Sequence, residues 1–308
     1  MTPAQTADLA ASPAPPRPRR SVLYMPGSNA RALEKARDLQ ADALIFDLED
    51  AVAPNQKDLA RQNILTALAS GTYGRRELIV RINSFDTPLA QDDLAALARA
   101  SRPPDAILVP KIIAPGQVIR AGHTLSQMGF PESTRLWIMI ETPLGVLDIR
   151  NIAATSVDPS ARLSAFVLGL NDLAKDTGAR LTSNRDHWQP VLVRCLLAAR
   201  AYDLAILDSV MNDFSDTDGL RSECEAARTL GYDGKTLIHP NQIALANEIF
   251  APSADDIAEA RTIVEAFAAP EAANLGAVSI KGRMVERLHA EIAARTLALA
   301  AAIDRLRP

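Results

Sequence analysis

The chain has 308 residues, is 48% hydrophobic and carries a formal net charge of −4, from 33 Lys and Arg against 37 Asp and Glu. That is ample material for a large core, and without a face-sized basic run no nucleic acid partner is expected. No segment approaches about 18 uninterrupted apolar residues, so no membrane span is expected.

Residues 1–19 are rich in Pro and Ala, run into Arg17, Arg19 and Arg20, and lack the apolar run of a signal sequence, so they read as a disordered tail. From Ser21 onward, strand-like and helix-like segments alternate every 25 to 35 residues or so, about the size of one βα unit. Ser21 to Gly27 reads as the first strand and Arg31 to Leu39 as the first helix. Ala43 to Asp50 is the second strand, with a helix from about Pro54, a residue suited to a first helical turn. Leu78 to Asn83, Ala106 to Ile112, Leu136 to Thr142, Phe166 to Asp172, Leu204 to Val210 and Thr236 to Pro240 complete the set. These alternating elements, with polar residues where strands finish, describe an α/β fold, a (β/α)8 TIM barrel over residues 20–252. The rival, an open doubly wound sheet, lacks a G-x-G-x-x-G after its first strand.

Residues 253–308 exceed what a barrel needs. Ala254 to Ala268 reads as a helix and Gly276 to Ile280 as a short strand. Met284, Leu288, Ile292 and Leu297 mark one apolar stripe of a final helix, suited to a C-terminal helical lid and oligomerisation segment. Cys195 and Cys224 have no C-x-x-C spacing, which fits a reducing, cytoplasmic setting and argues against a zinc site. His123, His187, His239 and His289 form no local cluster. His123 is expected on a helix surface, and His187 with Trp188 at a helix start.

The fifth and sixth strands each end in a carboxylate, Glu141 and Asp172. Two such groups on successive strands of a buried parallel sheet can converge on one hard cation, leaving positions for water and substrate oxygens. Either could instead cap the helix that follows. Arg81 can hold a carboxylate or enolate oxygen, or pair with the acidic string Asp47-Leu-Glu-Asp50. In that string Asp47 can face the barrel while Glu49 and Asp50 orient Arg81, Lys111 or a metal-bound water. Lys111 fits an electrostatic group, a Schiff-base amine or a surface ion pair, and His239 a base, a ligand contact or a turn residue. The turn Met25-Pro26-Gly27-Ser28-Asn29, followed by Arg31 and Lys35, is a weak phosphate-binding signal.

Arg20-Ser-Val-Leu-Tyr-Met-Pro-Gly27, Asp42-Ala-Leu-Ile-Phe-Asp-Leu-Glu-Asp-Ala-Val-Ala-Pro54, Val80-Arg-Ile-Asn83, Ile140-Glu-Thr142 and Leu237-Ile-His-Pro240 together resemble the citrate lyase β-subunit-like family of CoA-ester lyases, within the HpcH/HpaI aldolase superfamily. The resemblance implies an enzyme that binds Mg²⁺, or Mn²⁺ in its place, and acts on a small-molecule CoA thioester as a homotrimer or hexamer. It implies metal ligation by Glu141 and Asp172, acyl contact by Arg81, and CoA contacts by Tyr24, Met25, Asn29, Lys35, Ile238 and His239. Asn171 belongs to a matching string, Asn171-Asp-Leu-Ala-Lys175, and is counted with the substrate-binding residues. Where many relatives carry Gly-Lys-Met-Ile-Asp, this chain has Gly282-Arg-Met-Val-Glu-Arg-Leu-His289, with Glu286 replacing the aspartate that acts as acid/base. That segment is similar to the malyl-CoA thioesterase branch. The resemblance therefore implies lyase chemistry on a malyl-CoA-type thioester, giving acetyl-CoA or propionyl-CoA and an α-keto acid, with thioester hydrolysis as the alternative. A citrate lyase β subunit and a non-catalytic barrel partner are the further alternatives.

Overall fold

The computed structural model describes residues 16–182, 185–269 and 275–306, so the tail expected over residues 1–19 lies mostly outside the described residues. The chain divides into two compact units, a barrel over Arg19–Phe250 and a second unit from Ala251 onward. The barrel strands are β1 (Ser21–Pro26), β2 (Ala43–Asp47), β3 (Glu77–Arg81), β4 (Ala106–Val109), β5 (Arg135–Ile140), β6 (Leu163–Leu168), β7 (Ala205–Asp208) and β8 (Gly234–Leu237). They are parallel and close on themselves, β8 pairing with β1. Gly234 makes that closure possible, since a Cβ there would stand 1.8 Å from the Arg19 carbonyl oxygen.

Helices cover the outside in chain order: α1 (Ala30–Lys35), α2 (Lys57–Ser70), α3 (Leu89–Leu97), α4 (Pro115–Gln127), α5 (Pro143–Leu147), α6 (Ile149–Ala154), α7 (Leu170–Thr177), α8 (Gln189–Ala201), α9 (Thr217–Leu230) and α10 (Ile243–Phe250). Successive side chains of a strand face opposite ways, so two cores form. Val22, Ile45, Ile79, Leu108, Trp137, Met139 and Val167 fill the barrel, whereas Leu23, Leu44, Phe46, Leu78, Ile138 and Phe166 pack under the helices. This alternation decides which strand-end side chains reach the mouth.

The strands stop earlier than the apolar runs suggest. Leu48, Val52 and Ile112 are buried but lie beyond the ladder, because loops that fold back over the outer core bury apolar side chains too. Asp172 is likewise not a strand-end residue: β6 stops at Leu168, Gly169 caps α7, and Asp172 sits in that helix's first turn.

The second unit contains α11 (Ala254–Ala268), the antiparallel hairpin β9 (Ala277–Ile280) and β10 (Arg283–Glu286), and α12 (Arg287–Leu306). Lys281 and Gly282, at φ 49° and 77°, make the two-residue turn that matches the twist of a hairpin. Met284 therefore belongs to a strand and not to the stripe of the final helix, while Leu288 and Ile292 on α12 are exposed. Among the described residues no helix is long and apolar enough to cross a membrane.

Candidate active site

Four inward-facing positions reach the C-terminal mouth of the barrel from different strands. In β2, Ala43 and Ile45 face in, and Asp47 follows at the same parity. Ile79 leads to Arg81 in β3, Val22 to Tyr24 in β1, and Trp137 and Met139 to Glu141 just past β5. Asp47 and Arg81 are register partners. Arg81 donates through Nε to Asp47 Oδ1 at 2.7 Å and through Nη2 to Oδ2 at 2.6 Å, a fork that fixes the guanidinium plane. Asp47 also accepts from the N–H groups of Glu49 and Ala51. The structural pairing expected for Arg81 is thus real, and it leaves Nη1 directed elsewhere.

That nitrogen lies 2.8 Å from Glu49 Oε2 and 3.8 Å from Asp50 Oδ2, and the guanidinium stacks 4.9 Å from the centre of the Tyr24 ring. The Glu49 contact brings the two groups close without hydrogen-bond alignment, so Glu49 Oε2 is buried with no hydrogen bond. Burial pushes the Glu49 carboxyl up to about 8; Arg81 opposes the rise, but its charge is already committed to Asp47, and Glu141 and Asp50 add repulsion. A carboxyl whose pKa is raised in the fold stabilises most below its unfolded value near 4.5, and that contribution disappears as pH rises through 8. Stability should therefore fall between about pH 5 and pH 8 by up to about 1.4 kcal/mol per pH unit from this group. Glu49→Gln should flatten that slope and raise the melting temperature at pH 8.5, as read by thermal denaturation across pH.

Glu141 is fully buried. It does not cap the next helix, because Thr142 does so by accepting from Gly145 N–H. Its Oε1 accepts from the Lys111 N–H at 2.7 Å, and its Oε2 has no partner. Gly169 leaves the room: a Cβ there would fall 2.6 Å from Glu141 Cβ and 2.9 Å from Oε2. Burial raises the Glu141 carboxyl against the pull of Lys111. Asp172 accepts from Lys111 Nζ at 2.7 Å and caps nothing in α7. Burial lowers the Lys111 ammonium, but Asp172 and Glu141 outweigh it and hold it above its ordinary value.

No group of three or more His, Cys, Asp or Glu suited to a metal occurs among the described residues. Two hard carboxylates with one orphaned buried oxygen still fit Mg²⁺, which keeps waters or substrate oxygens in most of its coordination sphere. The residues present therefore fit the ion.

The other expected contact residues are more scattered. Met25 is packed in the outer core, so its side chain does not line the mouth. Asn29 caps α1 by accepting from Ala32 N–H, and Lys35 is exposed in that helix's last turn. Asn171 exchanges two hydrogen bonds with Asn212, in the loop after the neighbouring strand β7. Ile238 is exposed, and His239 is a turn residue whose Nδ1 accepts from Asn241 N–H while its ring stacks on Phe214 at 4.5 Å. In the second unit, Glu286 closes β10 and its N–H donates to His289 Nδ1. His123 is on the surface of α4, and His187 and Trp188 form a 3-10 turn ahead of α8.

Two contributors escaped the sequence reading. Lys57 donates to the Leu48 and Glu49 carbonyls and to Asn83 Oδ1, pinning the acidic loop. Met139 places its sulfur 3.6 Å from Arg81 Nη1 and 3.7 Å from the Tyr24 hydroxyl. Neither has a local signature, because backbone carbonyls and sulfur contacts leave no charge pattern.

A model of the HpcH/HpaI aldolase/citrate lyase family matches residues 20–240. The chain belongs to that family. A (3S)-malyl-CoA thioesterase of Cereibacter sphaeroides is 47% identical over 290 residues, 94% of this chain and 97% of the relative. An L-malyl-CoA/β-methylmalyl-CoA lyase of the same species is 35% identical over 299 residues, 89% of this chain and 92% of the relative. The protein CitE of Mycobacterium tuberculosis, solved with magnesium, acetoacetate and coenzyme A, superposes with a TM-score of 0.71 at 28% identity over 91% of this chain and 97% of that one. As a member of the HpcH/HpaI aldolase/citrate lyase family with relatives of this kind, the chain is an enzyme with lyase or thioesterase activity.

Proposed function

We propose that this enzyme hydrolyses the thioester of a malyl-CoA-type substrate, releasing malate and free CoA. The observation that carries the reading is the identity gap: 47% to a thioesterase and 35% to a lyase, each along nearly the whole chain. It reverses the order expected from the sequence, where carbon–carbon cleavage came first.

Glu141 and Asp172 are the residues proposed to hold Mg²⁺, with Mn²⁺ as a substitute. When bound, the ion would draw the substrate's hydroxyl and carboxylate oxygens together and neutralise their charge. Arg81, with Nη1 outside its fork with Asp47, would hold an acyl oxygen as negative charge grows on it. Glu49, whose carboxyl burial raises to about 8, is the proposed donor to the departing sulfur; Tyr24, Asn171, Ile238 and His239 are proposed contacts for the rest of the thioester. In balance, the carbonyl carbon gains an oxygen from water and loses sulfur, with one water proton leaving and one proton reaching CoA.

Glu286 is proposed as the group that orients or deprotonates that water. Glu286→Ala should lower turnover by about 10²-fold or more with an unchanged Mg²⁺ dissociation constant. Unchanged turnover in steady-state assays would remove it from the mechanism.

Lyase cleavage is the second reading, supported by the malyl-CoA lyase relatives. Purified protein given Mg²⁺ and (3S)-malyl-CoA separates the two: prompt thiol with malate supports hydrolysis, and glyoxylate without thiol supports cleavage. A homotrimer or hexamer is part of the same proposal and is checked by mass in solution. The two buried free thiols, Cys195 and Cys224, support a cytoplasmic setting.

A further inference from the structure

Lys111 meets the two carboxylates of the mouth in a backbone conformation that side chains avoid. It follows Pro110 and sits at φ 57°, in the left-handed region. From there its N–H donates to Glu141 Oε1 at 2.7 Å, and its Nζ bonds Asp172 Oδ1 at 2.7 Å and lies 3.8 Å from Glu141 Oε1. One residue thus holds both carboxylates, through its backbone and its side chain at once. An ordinary surface ion pair needs no such strain, and strained residues persist where their surroundings over-determine them.

We propose that the Lys111 ammonium is the resident cation of the Glu141–Asp172 pair, holding both groups in place and giving way when a divalent cation binds. This rests on the Mg²⁺ reading above. Lys111 Nζ stands 2.7 Å from Asp172 Oδ1 and 3.8 Å from Glu141 Oε1, so a divalent cation approaching both carboxylates meets a like charge at close range and drives the ammonium away. The displacement is open to it: the Lys111 side chain is 31% exposed and its stem is a flexible four-carbon chain. Glu141 Oε2 needs no such exchange, being unpaired already. Once displaced, the ammonium stands at the rim as a free positive charge for an anionic part of the substrate. Mg²⁺ and an anionic ligand then strengthen each other's binding, with no larger rearrangement of the barrel.

Calorimetric titration of the full chain with MgCl₂ tests this without relying on turnover. Lys111→Met, which deletes the competing charge, should tighten the Mg²⁺ dissociation constant by about tenfold, or about 1.4 kcal/mol. Lys111→Gly should do the same while relieving the φ strain, so it keeps the test valid if the methionine variant folds poorly. Lys111→Arg keeps a cation and should stay near the wild-type value. Unchanged or weaker Mg²⁺ binding in both the methionine and glycine variants would overturn the role of Lys111 alone. Absence of Mg²⁺ binding by the wild type at millimolar concentration would overturn the metal reading and this inference together.

Discussion

Glu141→Ala is expected to weaken Mg²⁺ binding by about a hundredfold or more and to reduce turnover by about 10³-fold, while the fold stays intact. Glu141 is fully buried, one oxygen is fixed by the Lys111 N–H, and the other faces the space that Gly169 leaves without a partner. A buried carboxylate with one oxygen left without a hydrogen bond is a cost to the fold, since burial disfavours its charged form. Removing it should therefore leave the melting temperature unchanged or higher at pH 8, with Lys111 still paired to Asp172. Calorimetry and thermal denaturation of the same preparation read both effects. A variant that loses stability and keeps Mg²⁺ affinity would reassign Glu141 to a structural role.

Asp208→Ala should show the opposite balance, with large destabilisation and no direct loss at the mouth. Asp208 also ends a barrel strand, but Ala205 and Leu207 face in, so Asp208 faces out beneath α9. There it accepts from Lys235 Nζ at 2.6 Å and from both terminal nitrogens of Arg185 at 3.0 Å, and Glu223 Oε2 completes the set 2.7 Å from Lys235. Lys235 and Asp208 have no solvent exposure. Burial alone would raise the Asp208 carboxyl, but Lys235 and Arg185 outweigh it and hold it below its ordinary value. Two cations and two anions balance in this cluster; deleting one anion leaves buried positive charge uncompensated, at about 3–5 kcal/mol. In a chain of this size the melting temperature should fall by roughly 10 °C. Asp208→Asn, which keeps the shape and some acceptor capacity, should fall by less.

Asp208 and Glu141 also mark the limit of what the sequence discloses. Both end apolar strands, and nothing local separates a carboxylate aimed into the barrel from one aimed at the helices. The parity of a four- or six-residue strand decides, and a shift of one residue at the strand start reverses it. The barrel itself was legible, because eight buried strands spaced by helices have few other closed arrangements. So was the pairing of Arg81 with the acidic string. The position of Asp172 was not, since Gly169 breaks the strand within a continuous apolar run. Met25 looked like part of a ligand-binding turn, yet its place in β1 turns it toward the helix layer. Lys57 was invisible because its partners are carbonyl oxygens drawn together only by the fold.

The choice between hydrolysis and carbon–carbon cleavage is settled most directly by running the reaction of (3S)-malyl-CoA in ¹⁸O-labelled water. Hydrolysis places one water oxygen in the carboxylate formed from the thioester, so the proposed activity should give malate carrying a single ¹⁸O together with an equal amount of free CoA. Acetyl-CoA and glyoxylate in place of labelled malate would contradict it.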